Sequence, residues 1–150
     1  MRLLISSVVV VCVDGYGKIL MVYNKNFDAW TFTAGGTEEG LSWGQAAAKE
    51  VLEESGLIVE PEDLVPFMTL SGGGFVTEYR DGSTQCFTIG FVARKFTESG
   101  AALDEEEILE TRWVSMEEAR SLKKSLRATD ELMAYEKWLE TGEFQQVVIE

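Results

Sequence analysis

The stretch from Ser42 to Gly56 leaves the backbone little choice. Ser42-x-x-Gln45 is a capping-box pattern, in which side chains satisfy the first free N–H groups of a helix. Ala46, Ala47, Ala48, Leu52 and the Glu and Lys residues that follow favour helix. Gly56 stands where a left-handed residue ends one. With the helix fixed, its faces follow. At about 100° per residue and Glu50 set at zero, Glu54 falls near about 40° and Glu53 near about 300°. Three carboxylates share one face. Ala48, Val51, Leu52 and Ser55 fall between about 100° and 200° and are expected to pack on a sheet.

That acidic face is poorly explained by helix stability. Glu50 and Glu54 are like charges at i,i+4, which costs a few tenths of a kcal/mol. They also lie in the C-terminal half, where the macrodipole disfavours negative charge. Lys49 with Glu53 offers modest i,i+4 support, and a plainly solvated charged face is the ordinary alternative. A hard divalent cation with oxygen ligands would relieve the crowding. It would also solve a problem set by the whole chain. Its net charge is −13. Such a surface repels nucleic acid and anionic membranes, so neither DNA nor a membrane is an expected partner. A phosphate-bearing substrate would need a cation between it and the carboxylates.

The rest of the sequence narrows the class. One domain spanning 1–150 is expected, long enough to bury about 70% of the surface that the unfolded chain exposes. There is no histidine, which removes Ser-His-Asp and Cys-His catalysis and most zinc sites. Cys12 and Cys86 each lie in an apolar run and read as buried thiols suited to a reducing, cytoplasmic setting. The apolar N-terminus runs into Asp14-Gly15 without a small-x-small cleavage site and is too short to span a bilayer. It reads as a buried strand, with secretion the minor alternative.

Leu3 to Val13 is an expected strand, Asp14-Gly15-Tyr16-Gly17 a turn, and Lys18 to Tyr23 its hairpin partner. Ala29 to Thr33 and Leu64 to Leu70 are further strands. Gly72-Gly73-Gly74 is either a mobile loop over the site or a bend. Phe75 to Arg80 and Thr84 to Lys95 flank the Asp81-Gly82 hairpin signal. Leu109 to Val114 is a strand, Ser115-x-x-Glu118 a second capping box, and Asp130 to Leu139 a last helix. Hairpins mixed with long crossovers predict an α/β fold, a mixed sheet covered by helices.

The segment Gly35 to Leu57 resembles the Nudix box, G-x5-E-x7-R-E-U-x-E-E-x-G-U, where U is bulky and aliphatic. The spacing matches without a gap. Gly35, Glu50, Val51, Glu53, Glu54, Gly56 and Leu57 agree. Trp30 before the glycines and Glu107 to Ala119 resemble the family's flanks. Two positions depart: Leu41 stands for the first glutamate and Lys49 for the arginine. In the family those two support each other and orient the metal-binding glutamates. Lys49 keeps the charge but loses the bidentate fork. Thr33-Ala34 stands where Pro-Gly is common, and Ala34 still offers a backbone carbonyl.

The resemblance implies a Nudix fold, a mixed β-sheet sandwiched between helices. It implies a Mg²⁺-dependent hydrolase, with Mn²⁺ as the alternative ion, that cleaves the diphosphate linkage of a nucleoside diphosphate derivative or a nucleoside triphosphate. Glu50, Glu53, Glu54 and the Ala34 carbonyl are the implied metal ligands. Glu53 is a ligand or the residue that activates water. A late-loop carboxylate is implied as base or extra ligand. Glu107 is the candidate, Glu105 and Glu106 its rivals, and an acidic surface loop the plain alternative. Glu38 fits the glutamate usual after the family's glycines, with an orienting or metal-shell role implied. Weaker candidates for substrate contact are Lys25, Arg80 and Arg94 for phosphate or ribose, and Phe27, Trp30 and Phe75 for the base. The expected partner is a small nucleotide; homodimers are common in the family. Leu41 and Lys49 keep open a nucleotide-binding module with little turnover. An unrelated acidic interaction domain would show no stabilisation by divalent metal.

Overall fold

The apolar, valine-rich run Leu3–Cys12 becomes strand β1 and organises everything else. In the computed structural model, which describes residues 3–75, 77–78, 82–100, 104 and 106–150, the chain continues through β2 (Ile19–Asn24), β3 (Ala29–Thr31), β4 (Thr33–Gly36), α1 (Trp43–Ser55), β5 (Leu57–Ile58) and a 3-10 turn at Pro61–Asp63. It then forms β6 (Val65–Ser71), β7 (Thr77–Glu78), β8 (Ser83–Ala93), β9 (Thr97–Glu98), β10 (Ile108–Val114), α2 (Met116–Ser121), α3 (Leu126–Thr141) and β11 (Gln145–Val148).

A mixed sheet runs in the order β11-β6-β8-β1-β4, with β7 added to β8. β1 is parallel to β8 and antiparallel to β4. A second sheet, β10-β2-β3, and a short β5-β9 pair complete the framework. Because side chains alternate along a strand, β1 feeds two cores. Val9, Val11 and Val13 pack with Phe32, Phe67, Leu132 and Tyr135 beneath α2 and α3. Val8, Val10 and Cys12 pack with Ala46, Ala47 and Val51 beneath α1. Burial on both faces is why the run carries no polar alternation from Val8 to Val13. Cys12 is fully buried, and desolvation pushes its thiol up to about 12. The Cys86 side chain lies outside the described residues.

Several local expectations hold. Ser42 and Gln45 form both halves of the capping box, and Gly56 ends α1 at φ 76°. β7 pairs with β8 as the hairpin signal required. Four points differ. β1 and β2 do not continue as a hairpin: the chain pairs across the turn at the Val13–Ile19 bridge and the Asp14 N–H to Lys18 carbonyl bond, and the two strands then enter different sheets. Both edges of β1 are already taken, and Asp14 accepts from the N–H groups of Tyr16 and Lys18, turning the chain away. The expected strand 29–33 breaks at Phe32, where the chain crosses from one sheet to the other. α3 starts earlier than expected, at a Ser125 cap. The glycine run at 72–74 is a bend under the C-terminal segment. Gly74 N–H donates to the Ile149 carbonyl and Ile149 N–H to the Ser71 carbonyl. A Cβ at Gly72 or Gly74 would stand 2.2 Å from backbone oxygens of residues 149 and 150.

Candidate active site

The carboxylate helix is rotated from its expected phase. The buried residues of α1 are Ala46, Ala47, Val51 and Glu54, while Leu52 is 36% exposed. The sheet-facing sector is therefore centred close to Glu54 and borders Glu50, instead of lying opposite them. A hydrogen-bond donor explains how a carboxylate can be placed there. β4 ends the sheet order, so its outer N–H groups find no strand partner. The N–H of Ala34 donates instead to Glu54 Oε1 at 2.8 Å. Glu54 is left 2% exposed.

Glu50 lies against the same strand. A Cβ on Gly35 would fall 2.2 Å from the Glu50 carboxyl carbon and 2.4 Å from one of its oxygens. Gly35 is thus the residue whose missing side chain makes room for the Glu50 carboxylate. Glu53, one turn along, is exposed.

Glu107 arrives from the turn that leads into β10. Asn24 Nδ2 donates to Glu107 Oε1 at 3.0 Å, and Lys25 N–H donates to the Glu107 carbonyl at 2.8 Å. The same loop is tied to α1, where Asp104 N–H donates to the Glu53 carbonyl at 2.9 Å. Burial first, then the charges of Glu53 and Glu107, pushes Glu50 up to about 8. Burial also pushes Glu54 up to about 9; the Ala34 bond opposes this, and the charges of Glu50, Glu107 and Glu53 add to it. Glu107 therefore belongs to one electrostatic cluster with Glu50 and Glu54. Glu106 is exposed, and Glu105 lies outside the described residues.

Among the described residues no three acidic side chains form a ready-made cation cage. The donor chemistry nonetheless fits a hard divalent ion: the groups are carboxylates, and at Glu50 and Glu54 burial first, then neighbouring negative charge, keeps the proton on. A cation would replace those protons.

Leu41 packs against the core under α1 and supplies no carboxylate. Lys49 finds its partners elsewhere, 2.6 Å from Glu38 and 3.8 Å from Glu53. Glu38 thus occupies the place, beside the cationic residue of the box, that Leu41 leaves empty.

The remaining candidates divide. Lys25 is exposed at the rim beside Glu107, and Phe27 nearby is 52% exposed. Trp30 is 7% exposed, edge-on to Tyr23, with the Arg112 guanidinium 4.7 Å from its ring centre. Phe75 is buried beneath Arg127. Arg94 lies over Trp138, on the α3 side, and Arg80 lies outside the described residues. The residue that sequence reading missed is Asn24; an asparagine closing a strand before a turn is too common to point at a site.

The profile of the NUDIX domain family matches residues 3–136. No curated protein matches. Among solved structures, the E. coli ORF135 protein superposes with TM-score 0.69 at 19% identity, over 92% of each chain. A MutT NUDIX hydrolase from Burkholderia pseudomallei gives 0.65 at 13% identity, over 89% of this chain and 98% of that one. An ADP compounds hydrolase gives 0.68 at 20% identity, over 92% of this chain and 74% of that one.

Proposed function

The chain belongs to the Nudix family of hydrolases, and from that premise we propose that it is a Mg²⁺-dependent pyrophosphohydrolase acting on a small nucleotide, a nucleoside diphosphate derivative or a nucleoside triphosphate. The observation that carries the reading is that Gly35 and the Ala34 N–H seat Glu50 and Glu54 of α1 against β4, where burial first, and then neighbouring charges including that of Glu107 from the turn before β10, raise both acids.

In this reading Glu50, Glu53, Glu54 and the Ala34 carbonyl would hold Mg²⁺, or Mn²⁺ in its place. The ion supplies charge neutralisation at the diphosphate oxygens and a lowered pKa for the attacking water. The chain's own residues do the rest. Gly35 leaves room for Glu50, and the Ala34 N–H aims Glu54. Water attacks one phosphorus in line, the P–O bond to the leaving phosphate breaks, and Glu107 or Glu53 takes the water proton. Lys25 at the rim attracts the anionic substrate. Positioning and charge stabilisation account for most of the catalysis in such transfers.

A screen of nucleoside diphosphate derivatives and triphosphates with Mg²⁺, beside a Glu54→Gln control, tests this. Turnover that collapses in the control is the expected result, and the compound cleaved names the class. Binding of the same compounds without turnover would replace the hydrolase by a nucleotide-binding module, and the missing carboxylate at Leu41 would be its first explanation.

A further inference from the structure

Asn24 closes β2 and is 4% exposed. A polar side chain buried this far must have both ends of its amide satisfied. Its Oδ1 accepts the Asn26 N–H at 2.9 Å. That contact fixes which way the amide faces and leaves Nδ2 directed at Glu107 Oε1, 3.0 Å away. The backbone repeats the contact, since the next residue, Lys25, donates its N–H to the Glu107 carbonyl. Asn24 pairs with Ile108 in the β2–β10 ladder, and the register shifts between Ile108 and Glu110. Residue 107 is thereby delivered to the end of β2.

The choice of donor has chemical content. A neutral amide holds a carboxylate by one oxygen without cancelling its charge, and leaves the second oxygen for the cluster. A lysine or arginine at position 24 would neutralise the group; an aspartate would repel it.

We infer that Asn24 is the positioning residue for Glu107: it takes Oε1 and turns the other carboxylate oxygen toward Glu50 and Glu54. The inference rests on the hydrolase reading above. The competing role is structural. Asn24 also holds the 24–28 turn, through Asn26 and through its own carbonyl, which accepts from the Phe27 N–H.

Asn24→Asp separates the two. It keeps an oxygen to accept from Asn26, so the turn stays, but it loses the donor to Glu107 and adds a like charge. On whichever compound the screen shows to be cleaved, kcat falls by about ten- to a hundredfold, the usual effect of removing an outer partner that orients a group of the site, with KM within about twofold. In a Glu107→Gln background the same change alters kcat by less than about twofold, because coupled residues are not additive. Equal losses in both backgrounds would overturn the inference. A second readout needs no turnover: the Asn24 side-chain amide signal in a ¹H–¹⁵N spectrum, assigned by its loss in Asn24→Asp. It moves in Glu107→Gln and on adding Mg²⁺ to the parent. An amide that stays still in Glu107→Gln overturns the inference. A parent without turnover would defeat the hydrolase reading alone, and the amide signal would still decide the role of Asn24.

Discussion

Two helices each bury a glutamate, and only one of them makes a candidate site. Glu54 of α1 and Glu131 of α3 are 2% and 7% exposed. Both helices begin at a serine cap and end at a left-handed glycine. Burial pushes both acids up, Glu54 to about 9 and Glu131 to about 8. The surroundings differ. Glu54 receives a backbone N–H from Ala34 and stands among the charges of Glu50, Glu107 and Glu53. Around Glu131, Asp130 raises the acid while Arg127, itself paired with Asp130, lowers it. A buried carboxylate alone is a protonated core residue at neutral pH. A buried carboxylate held by a backbone donor within the charge of other carboxylates is, in the function proposed, a place for a cation.

The largest test of that contrast is catalytic. Glu54→Gln lowers turnover with Mg²⁺ by about a hundredfold or more, beyond the usual effect of outer partners of a metal site. Glu131→Gln changes it by less than about twofold, since it removes no converging charge. Steady-state rates on the cleaved compound check both. Gly35→Ala comes next. Its Cβ would stand 2.2 Å from the Glu50 carboxyl carbon, and kcat falls by about tenfold or more through displacement of a positioned group. Gly73→Ala, with open space around its Cβ, leaves the rate unchanged.

Stability against pH sharpens the same comparison. Glu50 and Glu131 at about 8, and Glu54 at about 9, all lie above the ordinary carboxylate value of 4.5. The folded chain therefore binds more protons than the unfolded one across that window. Its stability falls as pH rises from about 4.5 and levels off above about 9. Melting the metal-free protein from pH 5 to 9 shows the decline as a falling midpoint temperature. Mg²⁺ favours the deprotonated cluster and removes the Glu50 and Glu54 share of the slope. The Glu131 share persists with Mg²⁺ and disappears in Glu131→Gln. At about a hundred times its dissociation constant, the ion adds about 2.7 kcal/mol. The smallest effect belongs to the outer pair. Glu38→Gln breaks the contact to Lys49, but both side chains are largely exposed, so stability changes by less than about 1 kcal/mol. Turnover falls a fewfold as Lys49 loses its tether.

Local chemistry in the sequence was a good guide where it acts alone. The Ser42 cap, the Gly56 stop and the β7–β8 pairing formed as their residues require. It misled where a tertiary donor intervened. The wheel placed Leu52 on the sheet because leucine is apolar, yet the sheet takes Glu54, since the Ala34 N–H makes that burial tolerable. Trp30, only a weak candidate for stacking on a base, packs against Tyr23 and Arg112. β11 was invisible in the sequence, being short and alternately exposed, and it forms on the glycine bend beside β6. Asn24 could not be singled out, because only the β2–β10 register reveals that it faces Glu107.

The pairings of β1 also set an order of assembly. Its parallel partner begins 80 residues later, at Ser83 opposite Leu3. At ribosomal speeds of about 5–20 residues per second, that partner is several seconds away. The antiparallel partner β4 emerges far sooner, and its register sets Val9 opposite Ala34 and Val8 opposite Gly35. The first long-range pairing open to the nascent chain therefore covers one edge of an apolar strand. The same pairing installs the backbone against which Glu54 and Glu50 will settle, long before Glu107 has been translated.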